Sequence, residues 1–167
     1  MFTKQLRRFA AIAALAFTAL APQLAQAQSL SDYTENKIVD LLLRAQVFSA
    51  PVTINIGLST AACTDSSVGT EVTGGAYARV AVTSALTAWA GTQGASTTVA
   101  SSGTGGITSN NAVVTFPTPS AGWGLDPHFF AHDGTNLIFC QALTVAKTIN
   151  SGDAVSFAVA AITLTVQ

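Results

Sequence analysis

The chain has 167 residues, of which 49% are apolar and only 9% are charged, with a formal net charge of −1. An average soluble protein has about 25% charged residues, so the composition is typical of a β protein that packs against copies of itself, or of a secreted protein. It excludes intrinsic disorder, which needs few apolar residues and a high net charge. Nucleic-acid binding has no support, because no Lys/Arg cluster follows residue 8.

The first 27 residues have the three parts of a secretory signal peptide. A basic start (residues 1–8) precedes an apolar run (residues 9–20), and Ala25-Gln26-Ala27 forms an A-x-A site. We expect cleavage between Ala27 and Gln28; an uncleaved membrane anchor is the alternative, although the run is shorter than the roughly 20 residues that a span needs. The mature chain would keep four basic and eight acidic residues, and would be exported to the periplasm, the cell surface or the medium, with no further membrane contact.

One helix is predicted at the start of the mature chain, over about residues 32–46. Asp32 can cap it, and Glu35 follows three residues later as in a capping box. An apolar stripe with helical spacing comes next: Ile38, Leu41, Leu42 and Ala45.

The rest of the chain has the pattern of short strands between turns. Alternation or apolar runs predict strands at residues 52–59, 77–83, 112–116, 123–131, 136–143, 154–159 and 162–166. Residues 91–111 are almost wholly Gly, Ser, Thr, Ala and Asn, which predicts a flexible exposed loop or a weak edge hairpin. Residues 28–167 are therefore expected to form a single β-rich domain, a sandwich or a barrel-like fold.

Two cysteines, Cys63 and Cys140, remain in the mature chain. Export to an oxidising compartment permits a disulfide between them, and both lie near the ends of predicted strands. Two buried free thiols are the alternative.

Arg79 lies within the predicted strand at residues 77–83, which follows Gly74-Gly75. A partly buried guanidinium needs carboxylate or carbonyl partners, so we expect Arg79 to act as a structural clamp; contact with a ligand is the alternative. The available acids include Asp65, Glu71, Asp133 and Asp153. Gly74 and Gly75 are expected to form a tight turn with positive φ.

Trp123 lies between two glycines. It can pack in the core, as is common for a Trp next to strands, or stand exposed for contact with a sugar or a partner. Both interpretations stay open at this point.

No residue set for catalysis, a metal or a cofactor is predicted. His128 and His132 would lie about 13 Å apart along a strand, too far for two Zn–N bonds of about 2.1 Å, and no third ligand has a suitable spacing. No serine lies in a G-x-S-x-G context, and Gly103–Gly106 lacks the Lys-Ser/Thr of a phosphate loop. We therefore expect a protein that is not an enzyme.

The order and spacing of four stretches resemble a known family. The stretches are SDYTENKIVDLLLR followed by VTINIGLSTAACTD, then GTEVTGGAYARVAV, then WAGTQGASTTVASSGTGGITSNNAVVTFP, then GWGLDPHFFAHDGTNLIFCQALTVAKTINSGDAVSFA. Together they are similar to bacteriophage tail fibre-type structural proteins. The resemblance implies a non-enzymatic, β-rich virion component that assembles into multimers.

The export signal is a departure from that family, and it suggests a phage module that a bacterium reuses outside the cytoplasm. We therefore expect an exported structural module that forms a homo-oligomer or docks on other structural proteins, with the virion as the alternative location. The alternative function is a secreted or surface binding module that uses residues 91–111 to hold a glycan or a cell surface. A fimbrial subunit completed by a donated strand is a further possibility, but the N-terminal segment has a helical pattern.

Overall fold

The computed structural model describes residues 30–166. The predicted signal peptide, residues 1–27, lies outside the described residues. Within the described range, no helix has the length and apolar character needed to cross a membrane. The elements are α1 (Asp32–Leu43), β1 (Thr53–Ser59), β2 (Val80–Thr83), β3 (Ile107–Ser109), β4 (Val114–Thr115), β5 (Gly124–His132), β6 (Leu137–Ile149), β7 (Ser156–Phe157) and β8 (Thr163–Thr165).

The predicted mainly β fold is confirmed, with 34% of the described residues in strands and 9% in the helix. The largest sheet has the antiparallel order β2-β1-β5-β6, and two small sheets pair β3 with β8 and β4 with β7. The large sheet ends on β2 and β6 and does not close into a barrel.

Helix α1 is attached to the edge strand β6 by its first residues. Ser31, not Asp32 as predicted, is the N-cap: its side chain accepts from the backbone N–H of Thr34 at 3.2 Å. A tertiary contact explains why Ser31 is the cap. Ser31 is buried, and its backbone N–H donates to Ile138 O at 2.9 Å. Its hydroxyl donates to the backbone oxygen of Leu137. A contact with β6 therefore sets where the helix begins.

The helix ends at Leu43, three residues before the predicted end. Ala45 has φ +53°, a left-handed conformation that ends a helix. The backbone N–H groups of Arg44 and Gln46 both donate to Asp40 O, at 3.1 and 3.0 Å. Ala45 therefore does not extend the apolar stripe.

The core lies on one face of the large sheet, between it and the small sheets. β1 contributes Ile56 and Leu58, and β5 contributes Phe129 and Ala131. Aromatic rings dominate the rest: Phe129, Phe139 and Phe157 pack with centroids 5.0–6.2 Å apart. Burial of such side chains stabilises the fold by about 1.5–3 kcal/mol each.

The opposite face of the large sheet buries one ring, that of Phe130. Phe130 is paired with Gly57 on β1, and a Cβ atom at Gly57 would lie 2.3 Å from the Phe130 Cζ atom. The glycine thus leaves room for the ring on this face.

Residues 91–111 are not wholly an exposed loop, because β3 and the buried Asn110 lie within them. The Asn110 side chain donates to Ala112 O and Ala158 O at 2.7 and 2.8 Å, and accepts from Ile162 N at 2.8 Å. A polar residue can be buried when its amide is hydrogen-bonded. The composition of residues 91–111 could not reveal that Asn110 has these partners.

Strand β6 extends to Ile149, six residues past the predicted end, and it bulges. Lys147 of β6 pairs with Asp126 of β5, and Ala142 pairs with His128. Four residues of β6, 143–146, therefore lie opposite the single residue Pro127 of β5. Proline has no N–H to donate to a ladder, which explains the interruption at this point.

Candidate functional site

Two separate segments cover one edge of β1. β2 pairs with residues 53–56, and residues 70–72 pair with residues 58–60 through bonds from Thr60 N to Thr70 O at 2.8 Å and from Val72 N to Leu58 O at 3.1 Å. Between these segments the chain leaves the sheet and returns. This excursion, residues 73–79, contains three of the residues that the sequence singled out: Gly74, Gly75 and Arg79.

The side chains of Arg79 and Glu71 join the two ends of the excursion. The Arg79 Nε and Nη2 atoms donate to the two Glu71 carboxylate oxygens, each at 2.7 Å. Both side chains are about a quarter exposed, at 28% and 24%. The guanidinium carbon lies 5.0 Å from the centroid of the Phe130 ring, a cation–π distance. Glu71 is therefore the partner among the four acids considered.

Tyr77 lies at the centre of the excursion. Its hydroxyl accepts from Leu58 N at 2.9 Å and donates to Glu71 Oε1 at 3.1 Å. Its ring packs edge-on against Trp123, with centroids 5.2 Å apart, and lies 6.2 Å from that of Phe116. The Tyr77 hydroxyl thus connects the Leu58 N–H group, at the edge of β1, to the ion pair of Glu71 and Arg79.

Glu71, Tyr77 and Arg79 form a cluster that we call the Arg79 cluster. The charges of its side chains are fixed at neutral pH. Burial raises the pKa of Glu71, but hydrogen bonds from Arg79 and Tyr77 and the charge of Arg79 outweigh it, so the pKa is lowered from 4.5. The hydrogen bond to Glu71 raises the pKa of Arg79, and burial raises the pKa of Tyr77. Burial, with the charge of Arg79, lowers the pKa of the nearby His132 from 6.5. Such an arrangement suits a brace between chain segments.

A left-handed turn positions the excursion. Gly74, Gly75 and Ala76 have φ of 73°, 53° and 62°. A Cβ atom at Gly75 would lie 2.8 Å from Ala121 O and 3.0 Å from the Trp123 ring, whereas one at Gly74 would have no atom within 4 Å. Gly75 is therefore required by both conformation and space.

Trp123 is buried, with 6% of its surface exposed, and belongs to the core. Its Nε1 donates to Gly75 O at 2.9 Å. The structure thus brings Trp123, Gly75 and Tyr77 together beside the ion pair.

Cys63 and Cys140 lie at disulfide distance, with Cα atoms 6.2 Å apart and a sequence separation of 77. Cys140 is paired with Phe130 on β5. A disulfide between Cys63 and Cys140 would connect the segment after β1 to β6 on the Phe130 side of the sheet. In the chain-entropy model a loop of this length contributes about 4 kcal/mol.

Three of the other polar residues that the sequence singled out have separate partners, whereas the buried Nδ1 atom of His128 has no hydrogen-bond partner among the described residues. His132 Nδ1 accepts from Gly134 N at 3.0 Å, and Asp133 accepts from Thr135 N at 2.7 Å. Asp153 accepts from Asn150 N at 2.8 Å. Over residues 30–166, no group of three His, Cys, Asp or Glu side chains is arranged to hold a metal ion.

Sequence reasoning missed Asp126. It has no exposed surface, and neither carboxylate oxygen has a hydrogen-bond partner among the described residues. Burial raises its pKa from 3.8 to about 6. No sequence signal revealed this, because the burial of a strand residue depends on the segments that pack against it, which are distant in the chain.

The fold and the cluster define a mainly antiparallel β protein whose ionic groups tie chain segments together. The family model described as podophage GP4 fiber I protein gp80 matches residues 29–165, so the chain belongs to that family. The resemblance to phage tail fibre-type structural proteins is thereby confirmed. No curated protein matches the chain.

Proposed function

We propose that the protein is a structural, fibre-type module that assembles with copies of itself or docks on other structural proteins. Membership of a phage fibre family over residues 29–165 carries this proposal. The Arg79 cluster supports it as well, since its ionic groups brace the edge of β1 and carry fixed charges, as a scaffold requires.

Exposed apolar side chains on α1 and just after it also support assembly. Leu42, Leu43 and Val47 have 72%, 80% and 91% of their surfaces exposed. Burial of apolar surface contributes about 25 cal/mol per Å², and contiguous exposed patches commonly mark protein–protein contacts. Association would remove these side chains from water.

Size-exclusion chromatography with light scattering on the purified full-length gene product tests the proposal. A stable multimer is expected. A monomer at micromolar concentration that is retained on a glycan array would contradict it and favour the binding module.

We further propose that the protein is exported, with a virion location as the alternative that family membership supports. Intact-mass measurement of protein recovered outside the cytoplasm is expected to give a chain that begins at Gln28. Recovery of the uncleaved chain from purified phage particles would contradict export and favour the virion.

A further inference from the structure

The peptide bond between Asp126 and Pro127 lies where the regular pairing of the large sheet is interrupted. Asp126 pairs with Lys147, and the next pair along the ladder joins His128 to Ala142. Pro127, between them, has no N–H with which to continue the ladder. β1 pairs with β5 from His128 onward, so among the described strands Asp126 pairs with β6 alone. The ordinary ladder of hydrogen bonds therefore does not hold this peptide bond.

The Asp126 carboxyl group is buried and has no use in the architecture of the fold. The residue has 0% of its surface exposed, and neither carboxylate oxygen has a partner among the described residues. Burial penalises the charged form of such a group, and the pKa is raised to about 6. Glu71 and Asp133, by contrast, each accept hydrogen bonds from neighbouring groups. Hydrogen bonding to other segments thus does not explain why an acid stands at position 126.

We propose that the bond between Asp126 and Pro127 is a self-cleavage site, which the Asp126 carboxyl group opens without an external protease. Three observations carry the proposal: the acid is buried without a partner, the residue that follows it is proline, and the ladder is interrupted at this bond. The inference goes beyond the proposed function and does not depend on assembly.

The reaction needs no group other than the two adjacent residues. A side-chain oxygen of Asp126 attacks the backbone carbonyl carbon of the same residue, and a C–O bond forms. The C–N bond to Pro127 breaks, and the carboxyl proton passes to the proline nitrogen, which leaves as a secondary amine. Asp126 then carries a five-membered cyclic anhydride. Attack within one residue has a high effective molarity, and carboxyl groups form covalent intermediates of this kind in other reactions.

Proline is suited to be the residue that leaves. Its nitrogen carries no hydrogen, so the bond to Asp126 is a tertiary amide. The departing nitrogen becomes a basic secondary amine, which keeps the proton that it has received. The neutral acid and the nitrogen that accepts its proton are therefore adjacent in sequence.

Two nucleophiles can open the anhydride. Water adds to it and leaves Asp126 as a C-terminal residue with two carboxyl groups. The Nζ atom of Lys147 would instead form an amide bond, while its proton passes to the carboxylate that is released. Lys147 is directly opposite Asp126 and forms no ion pair among the described residues. Side chains in such a pair start about 4.5–5.5 Å apart, a distance that a lysine side chain spans.

The two parts of a cleaved chain would remain together. Cys63 lies before the cleaved bond and Cys140 lies after it, so a disulfide between them would join residues 30–126 to residues 127–167. β6 also pairs with residues of β5 on both sides of the bond. Cleavage therefore creates a new N-terminus at Pro127 within a folded domain.

Incubation of the purified full-length gene product with protease inhibitors tests the proposal. Denaturing electrophoresis with reductant, followed by mass spectrometry, is expected to show a fragment of residues 127–167, and omission of the reductant is expected to keep the two parts joined. Hydrolysis gives two parts that together weigh one water more than the intact chain. Transfer to Lys147 leaves the total mass unchanged and gives a branched peptide with Pro127 at its N-terminus. A chain that stays intact, with no new N-terminus at Pro127, would overturn the inference.

The rate should depend on pH and on the fold. Lys147 on β6, His128 on β5 and Asp153 on the facing segment are the charged or titratable groups around Asp126, and burial is the cause of its raised pKa. At about pH 5 the buried acid keeps the proton that the proline nitrogen needs, whereas an unfolded aspartate of pKa about 3.9 has mostly lost it. Cleavage should therefore be about tenfold faster in the folded protein than in urea at about pH 5, and slower again at about pH 8. Equal rates in the folded and unfolded chains would contradict a site built by the fold.

Variants separate self-cleavage from a contaminating protease. Asp126→Glu keeps the carboxyl group but needs a six-membered ring, and Pro127→Ala keeps the acid but replaces the leaving nitrogen. Each is expected to slow the appearance of the fragment at least about tenfold. Asp65→Asn, at an exposed position, is the matched control and should cleave at the unchanged rate. Circular dichroism shows that the variants are folded, and a folded Asp126→Glu protein that is cut as fast as the unchanged one would overturn the inference.

Discussion

The Tyr77 hydroxyl accepts the backbone N–H of Leu58 at 2.9 Å, at the point where β2 has stopped pairing with β1. A side chain thus takes the place that a neighbouring strand would have. The same hydroxyl donates to Glu71, whose carboxylate holds Arg79. The gap between two segments on one sheet edge is therefore closed by a chain of three side chains.

Tyr77→Phe should lower the free energy of unfolding by about 1–3 kcal/mol, because it leaves the Leu58 N–H without a partner in a partly buried place. Urea denaturation measures the change. Tyr33→Phe is the matched control, because the hydroxyl of Tyr33 lies on α1 outside the cluster, and it should change stability by less than about 0.5 kcal/mol. Equal effects of the two substitutions would contradict the role of Tyr77.

Arg79→Ala should destabilise the protein by about 1–3 kcal/mol. This is less than the loss of a fully buried partner, because a quarter of each side chain is exposed and solvent screens the pair. Arg79→Lys should recover only part of the stability, since an ammonium cannot make the bidentate contact. Thermal unfolding measures both changes. An unchanged Tm together with lost binding to a partner would show that Arg79 contacts a ligand and is not a clamp.

The same Arg79→Ala variant also tests the ionic character of the pair. The Glu71 pKa is lowered in the folded protein, so the pair contributes stability above pH 4.5 and loses it as the pH falls through the folded pKa. The Tm difference between the unchanged protein and Arg79→Ala should therefore shrink below about pH 4. A difference that is constant from about pH 3 to about pH 7 would contradict an ionic contribution.

Gly75→Ala should cost more than Gly74→Ala. Both glycines have positive φ, and alanine there costs about 1 kcal/mol. Only at Gly75 would the added methyl group meet backbone, Ala121 O at 2.8 Å, so the total should reach about 2–4 kcal/mol. Denaturant midpoints compare the two variants, and equal midpoints would rule out the close contact.

Asp126→Asn should change how stability depends on pH. Because the pKa of Asp126 is raised to about 6, the folded state holds its proton more tightly than the unfolded state, and its contribution to stability falls as the pH rises from about 4 to about 6. Relative to the Asp126→Asn variant, the unchanged protein should lose about 2 kcal/mol over this window.

The measurement for Asp126→Asn is the Tm of both proteins from about pH 4 to about pH 7. Asp65→Asn, at an exposed position, is the control. A constant difference for Asp126→Asn too would mean that Asp126 gains a partner in solution.

Cys63→Ala combined with Cys140→Ala should lower the free energy of unfolding by about 2–4 kcal/mol, because the open chain gains conformational freedom when unfolded. Reduction of the unchanged protein should have a similar effect. Intact mass before and after alkylation without reductant checks the bond, and two alkylated cysteines would contradict it.

β1 and Arg79 show how much of the structure could be predicted from the sequence. The alternation Val52, Ile54, Ile56, Leu58 predicted β1 almost to its ends, because a strand with one buried face has a local period of two. The sequence also indicated that Arg79 needs a carboxylate or carbonyl partner, since a guanidinium near a core cannot stay unpaired. It could not choose Glu71, because that choice depends on which segment pairs with β1 after residue 57.

The sequence by itself determined a β-rich fold with one N-terminal helix and membership of a phage fibre family, because hydrophobic period, turn residues and motif order are properties of neighbouring residues. Only the tertiary structure decided that Ser31 caps α1, that Asp126 is buried without a partner among the described residues, and that the end of α1 stays exposed. These three features depend on contacts between residues distant in the chain, such as the bonds of Ser31 to Leu137 and Ile138.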